Sequence, residues 1–215
     1  MKKLVLFDLD GTLLNTINDL GLACNHALDE CGFKTHPLSA YPFMVGNGVR
    51  RLIERAQPDA SPSQVDEMIG YFKEYYDKHC CDTTVPYKGI PELLQELTQK
   101  EIKIGVTSNK YEKAVQAIVT HFFPDIPFVA LLGQVEGRPI KPDPSVIFTA
   151  LLECPTPKAD VLYVGDSAVD IETARRACVE NVGVTWGFSP VSHLRKSFAD
   201  HIVSTPAEIL KIALA

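Results

Sequence analysis

The sequence predicts an α/β protein, a parallel sheet with helices on both faces, interrupted near its start by an all-helical insertion. An apolar run, Leu4-Val5-Leu6-Phe7, leads straight into Asp8-Leu9-Asp10-Gly11-Thr12. That is the pattern of a buried parallel strand delivering polar groups to its carboxyl end, where open α/β sheets place their ligands. Residues from about 15 to 84 then show helical periodicity and no strand pattern. From Val85 onward helix and strand patterns alternate, as they do where the crossovers between parallel strands are helices.

The elements follow in order. Thr16 and Asp19 resemble a capping box, and Ile17, Leu20, Cys24, Ala27, Leu28 and Cys31 recur at helical spacing before Gly32 ends the run. Val49, Leu52, Ile53 and Ala56 form a second stripe. A third helix opens at Ser61, with Pro62 at its first position and Gln64 completing a box, and runs through Val65, Met68, Ile69, Phe72 and Tyr76. After Val85, a helix over Pro91 to Lys100 precedes a strand over Ile102 to Thr107, and a helix from about Tyr111 precedes Phe128 to Leu132. A helix from Pro144 leads to the strand Val161 to Val164, and one from about Val169 leads to Val182 to Thr185. Thr205-Pro206-Ala207-Glu208 caps the last helix. The first strand, isolated in sequence, must enter the later sheet to bury both its faces. The expected division is a Rossmann-like core of residues 1–14 and 85–215 and a helical insertion of residues 15–84.

Composition narrows the function. A chain of 215 residues with 46% hydrophobic and 22% charged residues can bury a substantial core. The net charge of -6 offers no footprint for nucleic acid, whose binding draws on clustered Lys and Arg. The leading apolar run is broken at Asp8, too early for a signal peptide or a membrane span, so a cytoplasmic protein without membrane contact is expected. The six cysteines lie mostly in apolar helical patterns, as reduced thiols do, and the adjacent pair Cys80-Cys81 lacks zinc-ligand spacing.

Four signals fall at predicted strand ends or in the loops after them: Asp8 with Asp10; Thr107-Ser108-Asn109-Lys110; Lys141 within Arg138-Pro139-Ile140-Lys141-Pro142-Asp143-Pro144; and Gly165-Asp166-Ser167-Ala168-Val169-Asp170. Alone, Ser108 reads as a helix cap, Lys141 as a loop lysine, Asp143 as a cap and Gly165-Asp166 as a plain turn. Together, in a parallel sheet, they converge on one crevice. Carboxylates gathered there repel one another unless a cation lies between them, and a hard divalent ion with oxygen ligands, Mg2+, suits them.

On these motifs the chain resembles the haloacid dehalogenase-like superfamily, in its phosphatase branch with a helical cap. The stretch Val45-Gly46-Asn47-Gly48-Val49-Arg50-Arg51-Leu52-Ile53-Glu54-Arg55-Ala56 and Val184-Thr185-Trp186-Gly187 look like those of bacterial phosphoglycolate phosphatases. The resemblance implies a Mg2+-dependent hydrolysis of a small phosphorylated metabolite, with Asp8 as nucleophile and Asp10 as general acid and base. It implies Gly11 and Thr12 at the phosphate turn, Ser108 and Asn109 on phosphoryl oxygens, and Lys141 neutralising shared charge. Asp8, Asp10 through its carbonyl, and Asp166 would hold the metal, with Asp170 a ligand or a group behind one. Arg50 or Arg51 would meet a carboxylate or a second anion on the substrate, and the cap would close on hinges near Leu14-Asn15 and Thr84-Pro86. Relatives often carry Asp where this chain has Asn15. The same resemblance leaves open a phosphomutase of the β-phosphoglucomutase kind, a haloalkanoate dehalogenase, and a non-catalytic phosphate-binding module; monomer and homodimer are both open.

Overall fold

The computed structural model describes residues 1–215. Strand β1 (Leu4–Phe7) ends at Asp8, and β2 (Leu14–Asn15) leads into α1 (Ile17–Glu30). A 3-10 turn (Leu38–Phe43), α2 (Gly48–Ala56) and α3 (Pro62–His79) follow, and β3 (Val85–Pro86) returns the chain to the core. The core continues as α4 (Ile90–Gln99), β4 (Lys103–Tyr111), α5 (Glu112–Phe122), β5 (Phe128–Gln134) and α6 (Ser145–Glu153). Then come β6 (Val161–Gly165), α7 (Ala168–Ala177), β7 (Glu180–Val184), α8 (Val191–Lys196), β8 (His201–Val203) and α9 (Pro206–Leu214).

Six strands form a parallel sheet in the order β5-β4-β1-β6-β7-β8, with β1 between β4 and β6. Every residue of β1 is buried, as the sequence requires of a strand covered on both faces. Its alternation divides the core. Val5 and Phe7 join the larger apolar cluster, whereas Leu4 and Leu6 join the smaller one with Tyr163, Val146 and Ile147. The larger cluster is continuous from the sheet into the insertion, where it includes Leu28, Tyr41, Ile53, Met68 and Phe72. The insertion therefore packs its apolar side on the core's as well as on its own. No helix is long and apolar enough to cross a membrane.

The boxes at Ser61/Gln64 and Thr205/Glu208 form as expected. The one at Thr16/Asp19 does not. The Thr16 hydroxyl instead donates to Asp10 Oδ1 at 2.7 Å, and Asp19, buried, accepts from both the backbone N–H and the hydroxyl of Thr83 and of Thr84. Two tertiary partners outcompete the local cap, and they tie α1 to the segment that re-enters the core. Beside them β2 and β3 pair antiparallel, Leu14 opposite Pro86 and Asn15 opposite Val85. The Asn15 side chain accepts from the Ile17 N–H at 3.4 Å. β4 runs past Thr107 to Tyr111, so its last residues line the site as strand and α5 begins only at Glu112. β8 and α8 carry three and six residues, too few for a periodic signal.

Candidate active site

The carboxyl ends of β1, β4 and β6 and the loops after β5, β6 and β7 meet under the insertion around a cavity of about 390 Å3. Asp8, Asp10, Ser108, Asn109, Lys110, Lys141, Asp166 and Asp170 all line it. β1 places Asp8 at its tip, and the chain then turns sharply. The N–H groups of Thr12, Leu13 and Leu14 point back to the Leu9 carbonyl, and the Gly11 N–H reaches Leu14 O at 2.9 Å. Gly11 sits at φ +86°, and a Cβ there would lie 2.5 Å from Asp166 Oδ2. Only glycine fits that turn so close to a carboxylate. The Thr12 hydroxyl is buried without a partner, while its carbonyl accepts the Trp186 indole N–H at 3.1 Å. The turn is therefore held by backbone hydrogen bonds, Thr12 taking part through its N–H and its carbonyl, and by Trp186. Gly187, next to Trp186, is equally constrained, since its Cβ would come within 2.2 Å of Asp166 Cβ.

Lys141 is 3% exposed and sits at the centre of the charges. Its ammonium donates to Asp8 Oδ1 at 2.8 Å, to Asp170 Oδ1 at 2.7 Å, and to the Thr107 carbonyl and the Tyr163 hydroxyl at 3.1 Å each. Asn109 brackets the lysine's backbone: its Oδ1 accepts from the Lys141 N–H at 2.8 Å, and its Nδ2 donates to the Lys141 carbonyl at 3.1 Å. The same Nδ2 donates to the Gly46 carbonyl of the insertion at 3.1 Å. The Asn109 side chain thus positions Lys141 and docks the Gly46-Asn47-Gly48 loop, and is engaged with protein groups. Ser108 Oγ accepts from the Lys110 N–H at 3.2 Å, which leaves its hydroxyl proton available to the cavity.

Asp170 is set by a capping box at the start of α7. Its Oδ2 accepts from the Ser167 N–H at 3.1 Å and the Ser167 hydroxyl at 2.6 Å, and its Oδ1 faces Lys141. Asp166 Oδ2 accepts from the Phe188 N–H at 2.6 Å. Asp10 is bound by Thr16 through Oδ1 and lies 3.1 Å from the Lys110 ammonium through Oδ2.

Carboxylate oxygens of Asp8, Asp166 and Asp170 lie within 4.8 Å of one another, all buried. Burial pushes the Asp8 carboxyl up to about 7; Lys141 opposes this, and Asp170 and Asp10 reinforce it. Burial, followed by the Asp170 and Asp8 charges, holds Asp166 well above the usual carboxylate range. For Lys141, burial works against the charge, but Asp170 and Asp8 outweigh it and hold the ammonium well above its ordinary value. One ammonium among three buried carboxylates leaves the cluster short of positive charge. An oxygen-only donor set with that deficit fits a hard divalent cation.

Arg50 and Arg51 are exposed, Arg50 paired with Asp66 and Arg51 with Glu54 at 2.7 Å, and neither lines the cavity. Their surface ion pairs hold both side chains away from the cavity. The arginine that reaches the cavity is Arg55, which donates to the Met44 and Val45 carbonyls and to Asn47 Oδ1. Spacing along α2 carries the signal, since Arg55 lies three residues after Leu52, itself a cavity residue. Tyr76, Tyr163 and Phe188 had no motif to announce them and are placed by the sheet and by α3.

A family model describing haloacid dehalogenase-like hydrolases matches residues 5–184. The chain is 32% identical to a phosphoglycolate phosphatase of Haemophilus influenzae, over 98% of this chain and 97% of that one. Among solved structures, a protein from Lactobacillus delbrueckii subsp. bulgaricus superposes with a TM-score of 0.92 at 32% identity, covering 99% of each chain. A predicted phosphoglycolate phosphatase from Haemophilus somnus gives 0.90 at 30%, covering 98% of this chain and 97% of that one.

Proposed function

Because the chain belongs to the haloacid dehalogenase-like hydrolase family, and is a phosphoric monoester hydrolase of it, we propose that it is a Mg2+-dependent phosphatase. It hydrolyses a small phosphate monoester through an aspartyl-phosphate, and 2-phosphoglycolate is the first substrate to test because relatives carry that name. The observation that carries the reading is the single crevice in which Asp8 meets Lys141, Asp166 and Asp170 with Asp10 and Ser108 beside it.

A carboxylate oxygen of Asp8 attacks phosphorus as the bond to the ester oxygen breaks. Asp10 gives its proton to the departing oxygen and then takes one from the water that opens the aspartyl-phosphate, releasing phosphate and restoring Asp8. In the structure the Thr16 hydroxyl donates to Asp10 Oδ1 and the Lys110 ammonium lies against Oδ2, which fixes the orientation of the carboxyl that carries these protons. Lys141 stabilises charge shared by Asp8 and the phosphoryl group, and the Ser108 hydroxyl donates to a phosphoryl oxygen. Asp8, the Asp10 carbonyl and Asp166 would hold Mg2+, with Asp170 orienting Lys141 and the start of α7 behind them. That ion supplies the positive charge that lets an anionic nucleophile approach an anionic ester.

Residues 15–84 act as a cap over a core of residues 1–14 and 85–215. The paired strands β2 and β3 are its pivot, and the Gly46 contact to Asn109 is its latch. The test is phosphate release from a panel of esters with and without Mg2+, with Asp8→Asn as control. Release that needs Mg2+ and falls on the order of 10^3-fold or more in the variant is expected; release that survives Asp8→Asn overturns the mechanism.

A further inference from the structure

Lys110 closes the run Thr107-Ser108-Asn109-Lys110, yet the reaction as described asks nothing of it beyond its contact with Asp10. Lys110 is 5% exposed and lines the cavity; its ammonium lies 3.1 Å from Asp10 Oδ2 and donates to the Tyr76 hydroxyl at 2.9 Å. An ammonium has three protons, and those two partners leave one unused. Tyr76, fully buried on α3 of the cap, accepts from Lys110 and makes no hydrogen bond through its own O–H. Burial keeps that phenol protonated, well above its usual range, with Asp10 adding to the effect.

Of the other strong cations of the cavity, Lys141 has no proton to spare among Asp8, Asp170, the Thr107 carbonyl and Tyr163, and Arg55 is exposed and turned to Met44, Val45 and Asn47. Lys110 is the buried one with a proton left over. Two donors with unused protons, one of them charged, stand side by side in a cavity whose lining also includes the apolar Leu20, Val49, Leu52 and Phe72. In such surroundings a donor without an acceptor is costly, and a charged donor favours an anion.

We propose that Lys110 and Tyr76 form a second anion subsite, which binds a carboxylate on the leaving group and selects phosphate monoesters that carry it one carbon from the ester oxygen. The inference rests on the phosphatase reading and specifies its substrate class. Asp10 protonates the ester oxygen, and Lys110 touches Asp10 directly, so an anion on Lys110 lies close to that oxygen. A carboxylate on the carbon bonded to the ester oxygen spans this gap. A longer arm overshoots it, and a neutral ester leaves both donors unmatched. The subsite also joins core to cap, since it is complete only when α3 brings Tyr76 over β4.

The test compares kcat/KM, with Mg2+ present, for 2-phosphoglycolate and for ethyl phosphate, which replaces the carboxylate by a methyl group. Wild type is expected to prefer 2-phosphoglycolate by a factor on the order of 10 to 100, the range of one charge-assisted contact. Lys110→Gln is expected to bring the two esters within about threefold of each other, whatever loss they share, and Tyr76→Phe to lower the preference by about threefold to tenfold. If Lys110 only orients Asp10, both esters slow in the same proportion, the ratio stands, and the proposal is overturned. A wild type that does not distinguish the two esters overturns it as well. A wild type that hydrolyses neither ester overturns the phosphatase reading itself, and is told apart because the failure needs no variant.

Discussion

Asp19 replaces an expected local cap with a tertiary clamp, and its removal has a size that can be worked out. Asp19 Oδ1 and Oδ2 accept from the Thr83 N–H at 3.0 and 3.1 Å, the Thr83 hydroxyl at 2.5 Å, the Thr84 N–H at 2.9 Å and the Thr84 hydroxyl at 2.7 Å. In Asp19→Ala the exposed Thr83 groups turn to water, but Thr84 is 3% exposed and its N–H and hydroxyl lose their acceptor. Two stranded buried donors cost about 1–3 kcal/mol each, so about 2–5 kcal/mol after some relaxation. A chain of 215 residues unfolds with an entropy near 0.45 kcal/mol/K. The melting temperature should therefore fall by roughly 4–11 °C. Circular dichroism melts at 222 nm measure it, with Asp29→Ala, an exposed carboxylate late in the same helix, as a control that stays within about 1 °C. Asp19→Asn keeps one acceptor and turns an amide N–H2 toward the donors, so it should fall between. A melt of Asp19→Ala within about 2 °C of wild type refutes the clamp.

The remaining predictions concern the site. Burial and neighbouring carboxylates raise Asp8 from 3.8 to about 7, so its contribution to stability is present below pH 3.8 and lost as pH rises through about 7. In EDTA the melting temperature should fall across that window, by no more than about 1.4 kcal/mol of stability per pH unit for this group, and added Mg2+ should raise it more at pH 8 than at pH 5.5. Equal Mg2+ shifts at both values would count against the carboxylates as the ion's holders. Gly11→Ala must push a Cβ against Asp166 Oδ2 at φ +86°, and should lower kcat on the order of 100-fold or more while the protein remains folded by circular dichroism. Unimpaired turnover in that variant would show that the turn has room. Arg55→Ala frees the Asn47 loop and should raise KM by about threefold to tenfold, whereas Arg50→Ala and Arg51→Ala, which remove only exposed ion pairs, should leave steady-state kinetics within about twofold.

Much of this architecture is visible in the chain because its signals are local. The four-residue apolar run before Asp8 has one reading in an alternating α/β pattern, and β1 indeed lies between β4 and β6 with both faces buried. The boxes at Ser61 and Thr205 are made within one turn, and they form. The Thr16/Asp19 box has the same spelling and does not form, because Asp10 on the preceding turn and Thr83-Thr84 from the far end of the insertion offer better partners. Residue type and nearness to a glycine loop point to Arg50 and Arg51, but surface carboxylates of Asp66 and Glu54 hold those two, and it is Arg55, bonded to Met44, Val45 and Asn47, that lines the cavity.

By itself the sequence determined the strand that ends in Asp8, the alternation that makes the sheet parallel, and hence the side on which Asp8, Ser108, Lys141 and Asp166 meet. Those follow from periodicity and from the rule that parallel strands share one carboxyl edge. Tertiary structure alone decided which proton each side chain uses: Asn109 turned onto Lys141 and Gly46, Asp19 onto the returning chain, and Lys110 onto Asp10 and Tyr76. A hydrogen bond between residues tens of positions apart depends on distances of a few ångströms that no spacing along the chain encodes, and it forms wherever packing leaves a buried polar group without water.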